Sequence, residues 1–133
     1  MSARGLLTVL TGLIWAGSAA ASDPRFAIAG GDAARGRALI VEHGCRACHV
    51  VPGIPGPHGR VGPDLAGLRD RAYIAGQFPN RPGELVRWLV DPPLLAPETA
   101  MPALGLSQQE ARDIATFLYA ERAPWTRPAH LER

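Results

Sequence analysis

Lysine is absent from this sequence. Arginine carries all the positive charge: 14 basic residues face 12 acidic ones over 133 positions, a formal net charge of +2. So even a balance supplies no basic field for nucleic acid or anionic lipid, and strong steering by charge is not expected. Aromatic residues make up only 6% of the chain, and cysteine and methionine occur twice each. No run alternates apolar and polar residues as a half-buried strand would. Internal repeats, a phosphate-binding loop and a Ser–His–Asp arrangement are absent too, which removes the nucleotide-binding and serine-hydrolase classes.

Glycine and proline, by contrast, are plentiful, at 15 and 13 residues. The apolar material left for a core is thin for a small domain, which then needs a disulfide, a metal or another buried group. A disulfide between Cys45 and Cys48 would close too short a loop to stabilise much. The first residues read as an export signal. "MSAR" carries one arginine, Gly5 to Ala21 is uncharged, and Ala19 and Ala21 flank the expected cut. The uncharged run of 17 residues falls just below the roughly 18–20 that span a bilayer. An uncleaved anchor is the alternative, and either way the domain lies in the periplasm or its equivalent. The expected organisation is a signal peptide at 1–21, one domain at 22–122 and a poorly ordered tail at 123–133.

Within the domain the pattern is all-α. "GDAARGRALIVEHG" reads as a helix capped by Asp32 and ended by Gly44, which delivers the chain straight into Cys45. "VVPGIPGPHGRVGPDL" is too rich in proline and glycine for helix or central strand and reads as an irregular loop ending at Pro63. "LAGLRDRAYIAGQ" suits one or two short helical turns. "PNRPGELVRWLVDPP" reads as a helix with Pro82 at its first position, Leu85, Trp88 and Leu89 on one face, and a stop at Asp91-Pro92-Pro93. "LLAPETAMPALGL" is a second irregular loop. "SQQEARDIATFLYAER" is the clearest helix, with a capping box of Ser107 and Glu110 and an apolar stripe of Ile114, Phe117 and Leu118. Three main helices, short helical turns and long loops are expected.

The chemistry sits in "CRACH", Cys45 to His49. Two thiols at this spacing suit the two vinyl groups on one edge of a haem, and the adjacent histidine can give its imidazole to the iron. A thiol redox site would follow a strand in an α/β pattern, which is missing. A zinc site would need a fourth ligand, and neither His43 nor His58 stands at a usual spacing. Covalent haem c is therefore the expected cofactor, with Cys45 and Cys48 as tethers and His49 as one axial ligand. The second ligand of an electron carrier is methionine or histidine. Met101, in the second loop, is the only methionine left after the expected signal is removed. His43 lies too near Cys45 to reach the opposite face, and His58, in the first loop, is expected to face solvent.

The order "CRACH", "GPDL", then "AMP" ahead of the last helix resembles the class I c-type cytochromes, over about Gly31 to Tyr119. That resemblance implies that the Pro63 carbonyl accepts a hydrogen bond from the other nitrogen of His49. It implies that Trp88, thirteen residues before Met101, lies near the ligand sulfur, and that Thr99 bonds a haem propionate. Leu65, Leu89, Ile114 and Phe117 become haem-packing residues, and Gly36 crosses the last helix against Phe117, with Ile40 four residues on. Gly59 to Tyr119 is also similar to the cytochrome c domain fused to subunit II of some bacterial haem–copper oxidases, without that subunit's copper-binding part.

The function so implied is a monohaem electron carrier and not an enzyme, with one covalently bound haem c and its iron. Its expected partners are redox proteins such as a membrane oxidase, reductase or dehydrogenase, without a small-molecule substrate. Without lysine the docking face cannot be the lysine-ringed kind. The alternatives are a haem-based catalyst or gas sensor with a displaceable Met101, or an electron-transfer subunit of a larger oxidoreductase.

Overall fold

Helix α1 (Ala33–Glu42) begins where a side chain can cap it: the Asp32 carboxylate accepts from the N–H groups of Ala34 and Arg35. It ends at His43, and Gly44 follows at φ +69°, a left-handed conformation that glycine adopts without a Cβ penalty. That turn aims the chain into the 3-10 turn Cys45–Ala47. The structure, a computed structural model, describes residues 23–121. The expected signal peptide at 1–21 and tail at 123–133 lie outside the described residues.

After the first loop comes a 3-10 turn at Leu68–Asp70. A two-residue hairpin then pairs β1 (Tyr73–Ile74) with β2 (Phe78–Pro79), Tyr73 opposite Pro79 and Ile74 opposite Phe78. Sequence alone foresees only helical turns here, because strands this short cannot display alternation. Helix α2 (Pro82–Val90) buries Leu85, Val86, Trp88 and Leu89. The Asp91-Pro92-Pro93 stop is also a start. Asp91 accepts from the Leu94 N–H at 3.1 Å and caps a fourth, short helix α3 (Pro92–Leu95), whose first positions suit proline. Helix α4 (Gln108–Ala120) carries both halves of the Ser107–Glu110 capping box. The all-α reading holds, with a short fourth helix and a minimal hairpin added.

Helix α4 is the centre of the packing and lies against both α1 and α2. Ile40, Leu85, Ile114, Phe117 and Leu118 are almost wholly removed from water. Each such side chain contributes about 1.5–3 kcal/mol relative to exposure. The α1–α4 crossing is closer than side chains would permit. A Cβ at Gly36 would overlap the Asp113 carbonyl, so glycine lets the two backbones touch. Sequence pairs Gly36 with Phe117, but its nearest neighbours are the Asp113 and Ile114 backbone, one turn earlier. Phe117 is buried as expected.

Asp113, which the sequence reading passes over, closes this crossing. Its carboxylate has no exposure, yet accepts from the Asp32 N–H at 2.9 Å, Arg35 Nε at 2.6 Å and Gln109 Nε2 at 2.9 Å. Burial alone would raise this carboxyl, but the Arg35 guanidinium and the two further donors outweigh it and hold the group below its ordinary range. On the other side, Tyr119 donates to Asn80 at 2.8 Å, and Asn80 donates to the carbonyls of Leu68 and Arg71. The Phe26 ring packs 4.8 Å from Tyr119 and so binds the N-terminal segment to α4.

A carboxylate held below its ordinary range stabilises the fold above that range and withdraws the stability as pH falls through the depressed value. Thermal midpoints of the intact protein should therefore drop below about pH 4. In Asp113→Asn the drop over that window should be shallower, and equal slopes in the two proteins would contradict this assignment.

Candidate functional site

The Cys45–His49 segment is one tight turn. Ala47 N donates to Gly44 O at 2.9 Å, Cys48 N to Cys45 O at 3.3 Å and His49 N to Cys45 O at 3.0 Å. Residues three and four apart on such a turn share a side, so Cys45, Cys48 and His49 are available together. Cys45 and Cys48 are not joined in a disulfide, and both are half-buried. Burial raises the Cys45 thiol above its usual range.

The first loop folds back onto this turn. Gly59 N donates to Arg46 O at 2.7 Å, Gly62 N to Cys48 O at 2.8 Å and Leu65 N to Val50 O at 2.9 Å. The approach is so close that a Cβ at Gly59 would overlap the Ala47 carbonyl, and one at Gly62 would overlap the His49 ring. The loop thereby delivers the Pro63 carbonyl to His49 Nδ1, 2.7 Å away. A carbonyl can only accept, so Nδ1 carries a proton here, and in the neutral ring that leaves the lone pair on Nε2. Beyond Pro63 the chain is fastened again. Asp64 accepts from the Ala66 N–H, and Arg71 donates to the carbonyls of Asp64 and Ala66. Leu65, between them, is half-buried against the core.

Met101 stands in the second loop, half-buried against the same core as Cys45, Leu65, Leu95 and Leu104. Thr99 lies two residues before it and its hydroxyl accepts from the Met101 N–H at 3.2 Å. Trp88 is buried on α2, its ring 5.7 Å from that of Phe78. Trp88 and Thr99 line one cavity of about 350 Å³ with Ala75, Gln77 and residues 95–98.

The histidine rivals of Met101 are held elsewhere. His43 caps α1, its Nε2 3.8 Å from Glu110. His58 differs from expectation. It is half-buried, with Nδ1 enclosed and unpartnered among the described residues, because the loop folds onto the turn and does not extend into solvent. It lines a second cleft of about 540 Å³ with Val41, Gly44, Arg46, Ala47, Pro57 and Gly59, to which neither cysteine contributes. Residues missed by the sequence reading are Gly59, Gly62, Arg71 and the Asn80–Tyr119 pair. One signal was present: glycine recurs at every third position from Gly53 to Gly62.

This architecture has a name. Residues 33–120 match the family model described as cytochrome c. The chain belongs to the cytochrome c family. Its fold is also that of solved cytochromes. The cytochrome c2 isolated from Paracoccus denitrificans is 20% identical, over 68% of this chain and 95% of that one, with a TM-score of 0.53. The ferric cytochrome c-550 from Paracoccus versutus is 24% identical over 68% and 98%, with a TM-score of 0.53. A methionine-to-lysine variant of that cytochrome c-550 is 25% identical over 68% and 96%, with a TM-score of 0.51. No curated protein matches the chain.

The family's cofactor, one covalently bound haem c with its iron, is thus the cofactor of this chain. The residues present fit it: two cysteines and an imidazole on one turn, a glycine cradle around the imidazole, and a thioether in the second loop, packed against the same core. The chain is thus an electron-transport cytochrome. Among the described residues no helix is long and apolar enough to cross a membrane.

Because the Gly62 Cα abuts the His49 ring, Gly62→Ala should push the ring off the Pro63 carbonyl. We expect a loss of about 1–3 kcal/mol of stability in denaturant titration, as for overpacking elsewhere. Unchanged stability would mean that the ring has room to move.

Proposed function

We propose that this protein is a periplasmic carrier of single electrons whose haem iron is ligated by His49 and Met101. What carries the reading is the His49 ring, with Nδ1 committed to the Pro63 carbonyl and Nε2 left free. In this reading Cys45 and Cys48 would hold the haem through thioether bonds to its two vinyl groups. His49 Nε2 offers its lone pair to the metal. The Pro63 carbonyl orients the ring and raises its basicity by accepting the Nδ1 proton. The Met101 thioether favours ferrous over ferric iron, which with an apolar surround makes the reduction potential positive. The haem, when bound, supplies the one-electron ferrous/ferric couple.

If His49 and Met101 hold the iron from opposite faces, they would leave it no position for oxygen or peroxide. That argues for a carrier over a catalyst or gas sensor. Trp88 covers the cavity beside the Met101 loop, and Leu65 packs near the His49 side. Electrons enter and leave by the haem edge, between the two irregular loops. Those loops expose Pro55, Pro57, Val61, Pro97, Ala100 and Pro102, with Arg60 and Glu98 among them. So small and nearly uncharged a face suits brief encounters with a membrane oxidase, reductase or dehydrogenase. The apolar N-terminal run of the sequence supports export by a cleaved signal.

Two experiments test this. Met101→Ala should lower the reduction potential in a redox titration and let ferrous protein bind carbon monoxide rapidly. An unchanged potential, or rapid carbon monoxide binding by the unaltered protein, would contradict the ligation. The second concerns docking. Steered partners lose 10- to 1,000-fold in association rate as salt rises, but here stopped-flow electron transfer should change less than about tenfold. A steep salt dependence would show a charged docking face.

A further inference from the structure

We infer that Thr99 is a positioning residue for Met101, acting through the methionine's backbone. The inference rests on the reading of Met101 as an axial ligand and adds how its loop is held. The Thr99 hydroxyl accepts from the Met101 N–H at 3.2 Å. Among the described residues the backbone from Ala100 to Leu106 makes no other hydrogen bond. Pro102 has no N–H to offer, and the next fastening is the capping box at Ser107.

Upstream the chain is fastened step by step. Asp91 accepts from Leu94 N, Pro92 O from Ala96 N at 2.9 Å, and Ala96 O from Thr99 N at 3.0 Å. Ala96 is buried, so Thr99 is a post set on a fixed base. The branched Cβ of threonine restricts its hydroxyl to few rotamers, and such a hydroxyl closes a short turn to a nearby backbone N–H. One oxygen therefore limits how far the segment carrying the Met101 sulfur can swing. Leu104 and Leu106 anchor the far end by burial alone. A threonine oxygen has two lone pairs and one proton, so accepting from Met101 leaves its proton free for a haem carboxylate. The two roles are compatible but separable.

The test uses the intact haem protein with Thr99→Val, which keeps the shape and loses the acceptor, and Thr99→Ser, which keeps the acceptor. Exchange of the Met101 amide is followed by nuclear magnetic resonance in the ferrous state. Displacement of the axial sulfur is followed by absorbance while imidazole is added to the ferric state. We expect Thr99→Val to speed amide exchange and tighten imidazole binding by roughly two- to tenfold, the worth of one net hydrogen bond. Thr99→Ser should restore both. Wild-type behaviour in Thr99→Val, or a serine variant that behaves like valine, would overturn the inference. So would an effect on potential with Met101 amide exchange unmoved, since that is a role toward the carboxylate only. Met101→Ala separates the two levels. If it binds imidazole no better than wild type, the ligation reading itself falls. If it binds far more tightly while Thr99→Val matches wild type, only the Thr99 assignment falls.

Discussion

One hydrogen bond, from His49 Nδ1 to the Pro63 carbonyl at 2.7 Å, constrains the whole half of the molecule that carries the cofactor. It decides which imidazole nitrogen is free. To make it, fourteen residues of chain must leave His49 and return to its ring, closing back onto the turn that holds the two cysteines at Pro57, Gly59 and Gly62. Such a return is possible only where side chains are missing, hence Gly59 against the Ala47 carbonyl and Gly62 against the ring. The prolines of the same loop remove backbone donors that a path so close to the turn could not satisfy. Arg71 then secures the exit by bonding the carbonyls of Asp64 and Ala66.

The remainder of the fold holds this loop system still. Helix α4 lies across α1 at backbone contact through Gly36, and the buried Asp113 binds the start of α1 to the middle of α4. Since α1 runs directly into Cys45, the crossing fixes the attachment turn against the core. The opposite end of α4 holds Asn80 through Tyr119, and Asn80 holds the 68–71 turn that leads back to Pro63. The two ends of the first loop thus hang from the same helix by different contacts. This division lets a small domain with few aromatic residues keep a long irregular loop in place.

Local features of this design were legible in the sequence. Asp32, Ser107 and Glu110 cap helices through neighbours two or three residues away, and Pro82 starts a helix by its own fixed φ. The cysteine–histidine spacing is legible for the same reason, because its chemistry is contained in five residues. Contacts across the chain were not. Asp113 reads as one more polar residue between Arg112 and Ile114, and its partner Arg35 stands 78 residues away. Gly36 was recognised as a crossing residue, yet the backbone it meets could not be chosen from a stripe in which Phe117 is the larger neighbour. Pro92-Pro93 reads as a stop, although proline is equally at home in the first turn of α3. The glycine period from Gly53 to Gly62 was visible, but only the folded loop gives it meaning. His58 is half-buried and not exposed, because a loop of proline and glycine can fold back onto a turn as readily as it extends into solvent.

In the proposed reading, nitrogen from His49 on a rigid turn and sulfur from Met101 on a loosely fastened loop would close the two faces of one iron. The rigid side would set the ligand field, and the loop side how readily the site opens. Iron K-edge X-ray absorption of the oxidised protein tests it most directly, since nitrogen and sulfur scatter distinguishably. The account predicts five nitrogen neighbours and one sulfur. Six nitrogen or oxygen neighbours, or a five-coordinate iron without sulfur, would contradict it.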